Sequence, residues 1–289
     1  MKNYKNLLSM TIMVGICVLF PLTVQAEEIE KENYEIEMSS EEECVIIDND
    51  DCTMKMVSID SEGEWGYTWN VYLENKTDVE LMFDLADVSV NGMMCDPYWA
   101  VTVEGGKAAN EEIIWDLEQF EEYGIDDVTV VEFTLSVYNN DDWEAGNLVY
   151  NDYKIYLNGK DAAVMLNREP EATDVVLLDS EECSMVSLGI MEDEIWGTEL
   201  KVYFENKSER DLLISFEDVS VNGMMCDPYW GMVVTAGNNA YADISWMEED
   251  LEENGIEVIE EVQGTMLVYD NDDWEADALV EETITVNAE

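Results

Sequence analysis

Histidine is absent from this chain, and basic residues are scarce: 12 Lys and Arg stand against 69 Asp and Glu, a formal net charge of −57 over 289 residues. Without imidazole there is no Ser-His-Asp or Cys-His catalysis, no histidine metal ligand and no ordinary switch near neutral pH. Without clustered Lys and Arg there is no means of displacing counterions from nucleic acid, and anionic lipid surfaces repel the chain. Only four prolines occur, and P-loop, dinucleotide and nucleophile-elbow fingerprints are missing. What is present is apolar: a hydrophobic fraction of 47% is that of a folded protein, whatever the charge.

That apolar content is organised. Lys2 and Lys5 precede the run from Leu7 to Phe20, Pro21 breaks it, and Val24-Gln25-Ala26 offers small residues before Glu27. Residues 1–26 therefore read as a secretory signal, which places the protein outside the cell or at its envelope. Ile16 precedes Cys17 where a lipoprotein cysteine would follow a small residue. Residues 27–43 are mostly acidic or polar and read as a disordered spacer.

The remainder is duplicated. Cys52 and Cys183, 131 positions apart, head two stretches that align without a gap. DVSVNGMMCDPYW runs from Asp87 to Trp99 and recurs unchanged from Asp218 to Trp230; NDDWEA runs from Asn140 to Ala145 and recurs from Asn271 to Ala276. Each copy is of domain size, so the expected plan is one repeat over 44–160, a linker over 161–174 and a second repeat over 175–289. Within a copy the apolar period is two: Trp69, Val71 and Leu73 alternate with polar neighbours, as do Phe133, Leu135 and Val137. Asn91-Gly92 suits a tight hairpin turn, and Leu117 to Tyr123 before Gly124 reads as one helical turn. Two tandem all-β antiparallel sandwiches are expected, each with one short helical turn.

The motifs WG, VYLENK, DVSVNGMMCDPYW and FTLSVYNNDDW resemble those of exported proteins of anaerobic Gram-positive bacteria that carry immunoglobulin-like modules of unknown function. The resemblance spans both repeats. It implies an extracellular β-sandwich and no particular activity.

Candidate chemistry is sparse. The matched cysteines could form one disulfide per repeat, Cys52–Cys95 and Cys183–Cys226, leaving Cys44 unpaired, or could be buried free thiols. Asp141, Asp142 and Glu144, with Asp272, Asp273 and Glu275, present clustered oxygens that a calcium ion would accept, although EF-hand spacing is missing. Trp143 and Trp274 follow paired aspartates and are the tryptophans expected at the surface, where they could stack on sugar rings. The reading is a non-catalytic interaction module, with no cofactor, for an extracellular protein or glycan. Its alternatives are a carbohydrate-binding module using exposed tryptophan and a small extracellular hydrolase using paired carboxylates.

Overall fold

A computed structural model describes residues 31–38, 43–193, 197–228 and 230–288. The signal reading of residues 1–26 lies outside them, as do the side chains of Trp143 and Trp196. Among the described residues no helix is long and apolar enough to cross a membrane.

The first repeat opens with an added strand, β1 (Glu32–Glu37), followed by β2 (Cys44–Asp48), β3 (Cys52–Gly63), β4 (Gly66–Asn75) and β5 (Leu81–Val90). It continues through β6 (Met93–Met94), β7 (Ala100–Val103), β8 (Ala108–Trp115), α1 (Leu117–Tyr123), β9 (Val130–Asn139) and β10 (Asn147–Tyr156). One sheet has the order β2-β3-β4-β8; the facing one runs β1-β10-β9-β5, with β6 and β7 also on β5. The second repeat reproduces this set: β11 (Val175–Asp179), β12 (Cys183–Asp193), β13 (Gly197–Asn206), β14 (Leu212–Val221), β15 (Met224–Met225) and β16 (Gly231–Val234). Then come β17 (Asn239–Trp246), α2 (Glu248–Glu253), β18 (Glu261–Asp270) and β19 (Val280–Asn287). Its sheets are β11-β12-β13-β17 and β15-β14-β18-β19, with β16 on β14. These are two immunoglobulin-like sandwiches, each with one short helix.

The period-two pattern does the work. Trp69, Val71 and Leu73 of β4 face Phe133, Leu135 and Val137 of β9 across the first core, all buried. Leu200, Val202 and Phe204 do the same in the second. DVSVNG is backbone machinery. Asp87 and Asp218 adopt φ of 54° and 52° beside the irregularity in the β5–β9 and β14–β18 ladders. Asn91 and Gly92 take φ of 53° and 83° to join Val90 to Met93 in a two-residue hairpin. Asn91 Oδ1 then accepts from the backbone N–H groups of Thr129 (2.8 Å) and Val130 (3.1 Å), tying the turn to β9.

Two expectations need correction. Residues 27–43 are not spacer throughout, because β1 lies among them and pairs in parallel with β10, Glu32 opposite Asn151 through Glu37 opposite Tyr156. Tyr34 stacks on Tyr153 at 5.2 Å, and Ile36 and Met38 pack against the first core, so the acids alternate with an apolar face. The 161–174 segment is likewise packed: Leu166 lies against the first core and its amide donates to Asn91 O at 2.7 Å, while Arg168 holds Asp174 through both guanidinium nitrogens at 2.7 Å.

The disulfides are not formed: Cys44, Cys52, Cys95, Cys183 and Cys226 are all free and buried. Cys52 faces Asn75 at one end of β4, whereas the Cys95 carbonyl receives the indole N–H of Trp115, which faces Tyr67 at the other end. Eight strand residues separate those ends by about 26 Å, far beyond the ~7 Å that a disulfide spans. Cys183 and Cys226 are divided in the same way by β13. Burial pushes the Cys52 and Cys95 thiols up to about 12, so they are unreactive. Reductant is therefore expected to leave the melting temperature of a chain lacking residues 1–26 unchanged. A thiol label should modify all five cysteines on unfolding without prior reduction; mass spectrometry finding only one labelled would restore the bridges.

Candidate functional site

Three places bring polar or exposed groups together: the acidic turns, a cleft between the repeats, and the junction itself. The calcium candidates do not converge. Among the described residues no group of three or more Cys, Asp or Glu is placed to hold a metal ion. Asn139 and Asp270 instead use their side-chain oxygens to accept the amides of Asp141 (3.0 Å) and Asp272 (3.1 Å), and 3₁₀ turns follow at Trp143–Ala145 and Asn271–Asp273. At three residues per turn, successive carboxylates point in different directions. Asp141, Asp142, Glu144, Asp272, Asp273 and Glu275 all end in solvent.

Trp274 is exposed, at 62%, as expected. Two further aromatics are exposed without any pattern in the sequence to mark them: Trp65, 75% exposed at the β3–β4 hairpin, and Tyr98, 91% exposed with φ of 50°. Asp96 explains Tyr98, because its carboxylate accepts the Tyr98 amide at 2.7 Å in an Asx turn that throws the ring outward. Trp69, Trp115 and Trp246 are core residues.

A cleft of about 590 Å³ lies between β1 with β10 on one side and the second repeat on the other. Its cations are already engaged. Lys31 meets Asp152 at 2.8 Å and lies 5.2 Å from the Tyr150 ring centre; Arg210 meets Asp270 at 3.3 Å. Burial alone would lower the Lys31 ammonium, but the Asp152 hydrogen bond and the surrounding negative charge hold it above its usual range. Burial raises the carboxyls of Asp87 and Asp211, with Lys31 and, for Asp211, the Ala236 amide acting against it. Asp152 also accepts from Thr134 Oγ1 at 2.6 Å. The cleft is thus lined by ion pairs and backbone-bonded carboxylates. Lys31 and Tyr34 reach it through β1, and their signal was the alternation of Tyr34, Ile36 and Met38 within an acidic stretch.

The junction is made by the hairpin tip of the first repeat. Met93 pairs in parallel with Asn239 at the start of β17, which joins sheets of the two repeats into one of ten strands. The Asn239 amide donates to Gly92 O at 2.8 Å, Thr235 Oγ1 meets Met94 Sδ at 3.3 Å, and Tyr123 stacks on Tyr241 at 4.9 Å. Met94 packs against the second core, and Arg168 sits over Tyr203.

No family model and no curated protein matches the chain. Solved structures similar to it include the Salmonella enterica SafA pilin in complex with the SafB chaperone, at 8% identity and a TM-score of 0.19, covering 76% of this chain and 89% of that one. The YadV chaperone matches at 9% identity and TM-score 0.24, covering 82% and 99%. A Porphyromonas gingivalis W83 protein of unknown function matches at 12% and 0.22, covering 87% and 97%. At TM-scores this low the superpositions support neither ligand nor partner, and the fold stands on the strand pairings themselves.

Proposed function

We propose that the protein is a non-catalytic, exported interaction module that binds an extended segment of another protein by strand addition to β19. The observation that carries this reading is the unequal state of two equivalent edges. β10 and β19 pair with β9 and β18 in the same register, offset by 131 positions (Val149 opposite Val137, Val280 opposite Val268). The outer edge of β10 is covered by β1, whereas among the described residues no strand pairs with the outer edge of β19. The segment equivalent to β1 in the second repeat, 163–168, is drawn to the junction instead, where Leu166 bonds Asn91.

Chemistry narrows the partner. β10 offers Lys154, and with Lys160 and Lys31 nearby it suits the acidic β1; Lys160 bonds Glu35. β19 has no basic residue and exposes Glu281 and Glu282. A basic strand with apolar residues at alternate positions, packing over Ile284 and Val286, fits best; main-chain bonds supply affinity and alternate side chains specificity. Export rests on the sequence of residues 1–26.

The test uses a labelled peptide in which the glutamates of the β1 sequence Glu32–Glu37 are replaced by lysine. Backbone phase identifies the blocking variant. Tyr156 O accepts from Met38 while the next amide, Leu157, turns to Thr129; Ala288 turns to Glu260 in the same way. Thr285 therefore points its N–H away from β18, and Thr285→Pro removes an outward donor without breaking the sheet. The peptide is expected to bind at physiological salt and to lose at least about tenfold in affinity to Thr285→Pro, as measured by fluorescence anisotropy. Equal binding of a scrambled peptide of the same charge would reduce the effect to charge attraction and refute strand addition.

A further inference from the structure

We propose that a second copy of this chain docks on the Met224–Met225 tip, using the outer edge of its β8 as β17 is used at the junction within one chain. DVSVNGMMCDPYW is identical in the two repeats, yet its tips have opposite fates. Met93 is buried at 1% exposure, whereas Met224 and Met225 are 49% and 60% exposed. A Cβ built on Gly92 would meet the Met165 side chain at 2.6 Å; one built on Gly223 would meet nothing within 4 Å. The free tip also has more apolar surroundings than the covered one. Exposed Met247 and Val258 stand where the first repeat has Asp116 and Asp127; the backbone of Val258 is tied to the turn by Asn222, and Trp246, which precedes Met247, bonds Cys226 O, which follows Met225. Clustered exposed apolar side chains of this kind mark interaction surfaces.

The receiving half of the junction is also present and open. β8 ends its sheet as β17 ends its own, but among the described residues no strand pairs with its outer edge. Lys107 O accepts from Asn75 N just as Asn238 O accepts from Asn206 N, so the backbone phase is the same and the Ala108 amide points outward as the Asn239 amide does. Ala108 is exposed where Asn239 is buried. In the proposed contact the Ala108 N–H of one copy donates to Gly223 O of the next, reproducing the Asn239 to Gly92 bond. Each chain then carries one unused tip and one unused edge, so the contact is heterologous and propagates head to tail. It is weaker than the internal junction. The Tyr123–Tyr241 stack becomes Asn254 against Asn110, no linker joins the partners, and copies of charge −57 repel until salt screens them.

Sedimentation velocity over a range of protein and NaCl concentrations tests this, with melting curves verifying that each variant is folded. The chain lacking residues 1–26 is expected to associate progressively as salt rises. Met224→Ser with Met225→Ser, and separately Ala108→Pro, should each weaken association at least about tenfold. Thr285→Pro, on the strand-addition edge, should leave it unchanged. Mixing the methionine variant with Ala108→Pro leaves one intact tip and one intact edge, so the mixture should stop at a one-to-one dimer. A chain that stays monomeric under every condition overturns the proposal. So does association that survives both variants, or a mixture that grows beyond a dimer.

Discussion

Replacement of Trp115 by alanine is expected to destabilise the first sandwich by about 3–5 kcal/mol, the range for removing a fully buried tryptophan. Its ring is 1% exposed, lies 5.2 Å from Trp69 and 6.1 Å from Tyr67 in edge-on geometry, and donates its N–H to Cys95 O at 3.0 Å. The substitution leaves a cavity and orphans a buried carbonyl, and the two penalties act together. Trp115→Phe fills most of the space but cannot make the bond, so a loss of about 1–3 kcal/mol isolates the polar part. Trp246→Ala should behave alike in the second sandwich, where the same indole bond runs to Cys226 O at 2.9 Å. Urea titration supplies the measurement. A change below about 1 kcal/mol, typical of a surface position, would mean that these tryptophans serve binding rather than the core.

Asn91→Ala should cost at least about 3 kcal/mol although it removes only a small side chain. Alanine resists the left-handed backbone by roughly 1–2 kcal/mol. The amides of Thr129 and Val130 lose their acceptor, and each buried group left unpaired adds about 1–3 kcal/mol. The Asn91 carbonyl also receives Leu166, so a distorted turn loosens the junction between repeats. Asn222 makes matching bonds to Glu260 and Glu261 (2.8 and 3.0 Å), but its tip is free. Asn91→Ala is therefore expected to be the more damaging of the pair. Thermal melts of both variants decide this, and equal losses would show that the turn acts only within its own repeat.

Strand positions were legible because one buried face imposes a period of two, and the gapless repeat carried the reading from one copy to the other. β1 is masked in the sequence because its partner lies over a hundred residues away and its exposed face is acidic, which hides the apolar alternation of Tyr34, Ile36 and Met38. Cysteine pairing failed for a different reason. Matching positions in two repeats show that Cys52 and Cys95 recur together, but not that they lie beside opposite ends of β4. The junction was hidden most deeply. One block of sequence is covered in one repeat and exposed in the other, and no local pattern distinguishes the two when the residues are the same. Asn91-Gly92 was visible as a turn; that Asp87 takes a positive φ and that Asn91 gathers the start of β9 depend on contacts across the fold.

The parallel β1 also sets an order of events. Glu32 and Asn151, paired in the structure, are 119 residues apart in the chain, so this strand leaves the ribosome long before its neighbour exists. Closing so long a loop is slow, and the first sandwich keeps an unlatched side until β10 has been made and has settled on β9. The second sandwich waits for nothing comparable, since its last strand is laid beside the one just before it. The amino-terminal half of this protein is thus the first to be synthesised and, at that one edge, late to be sealed.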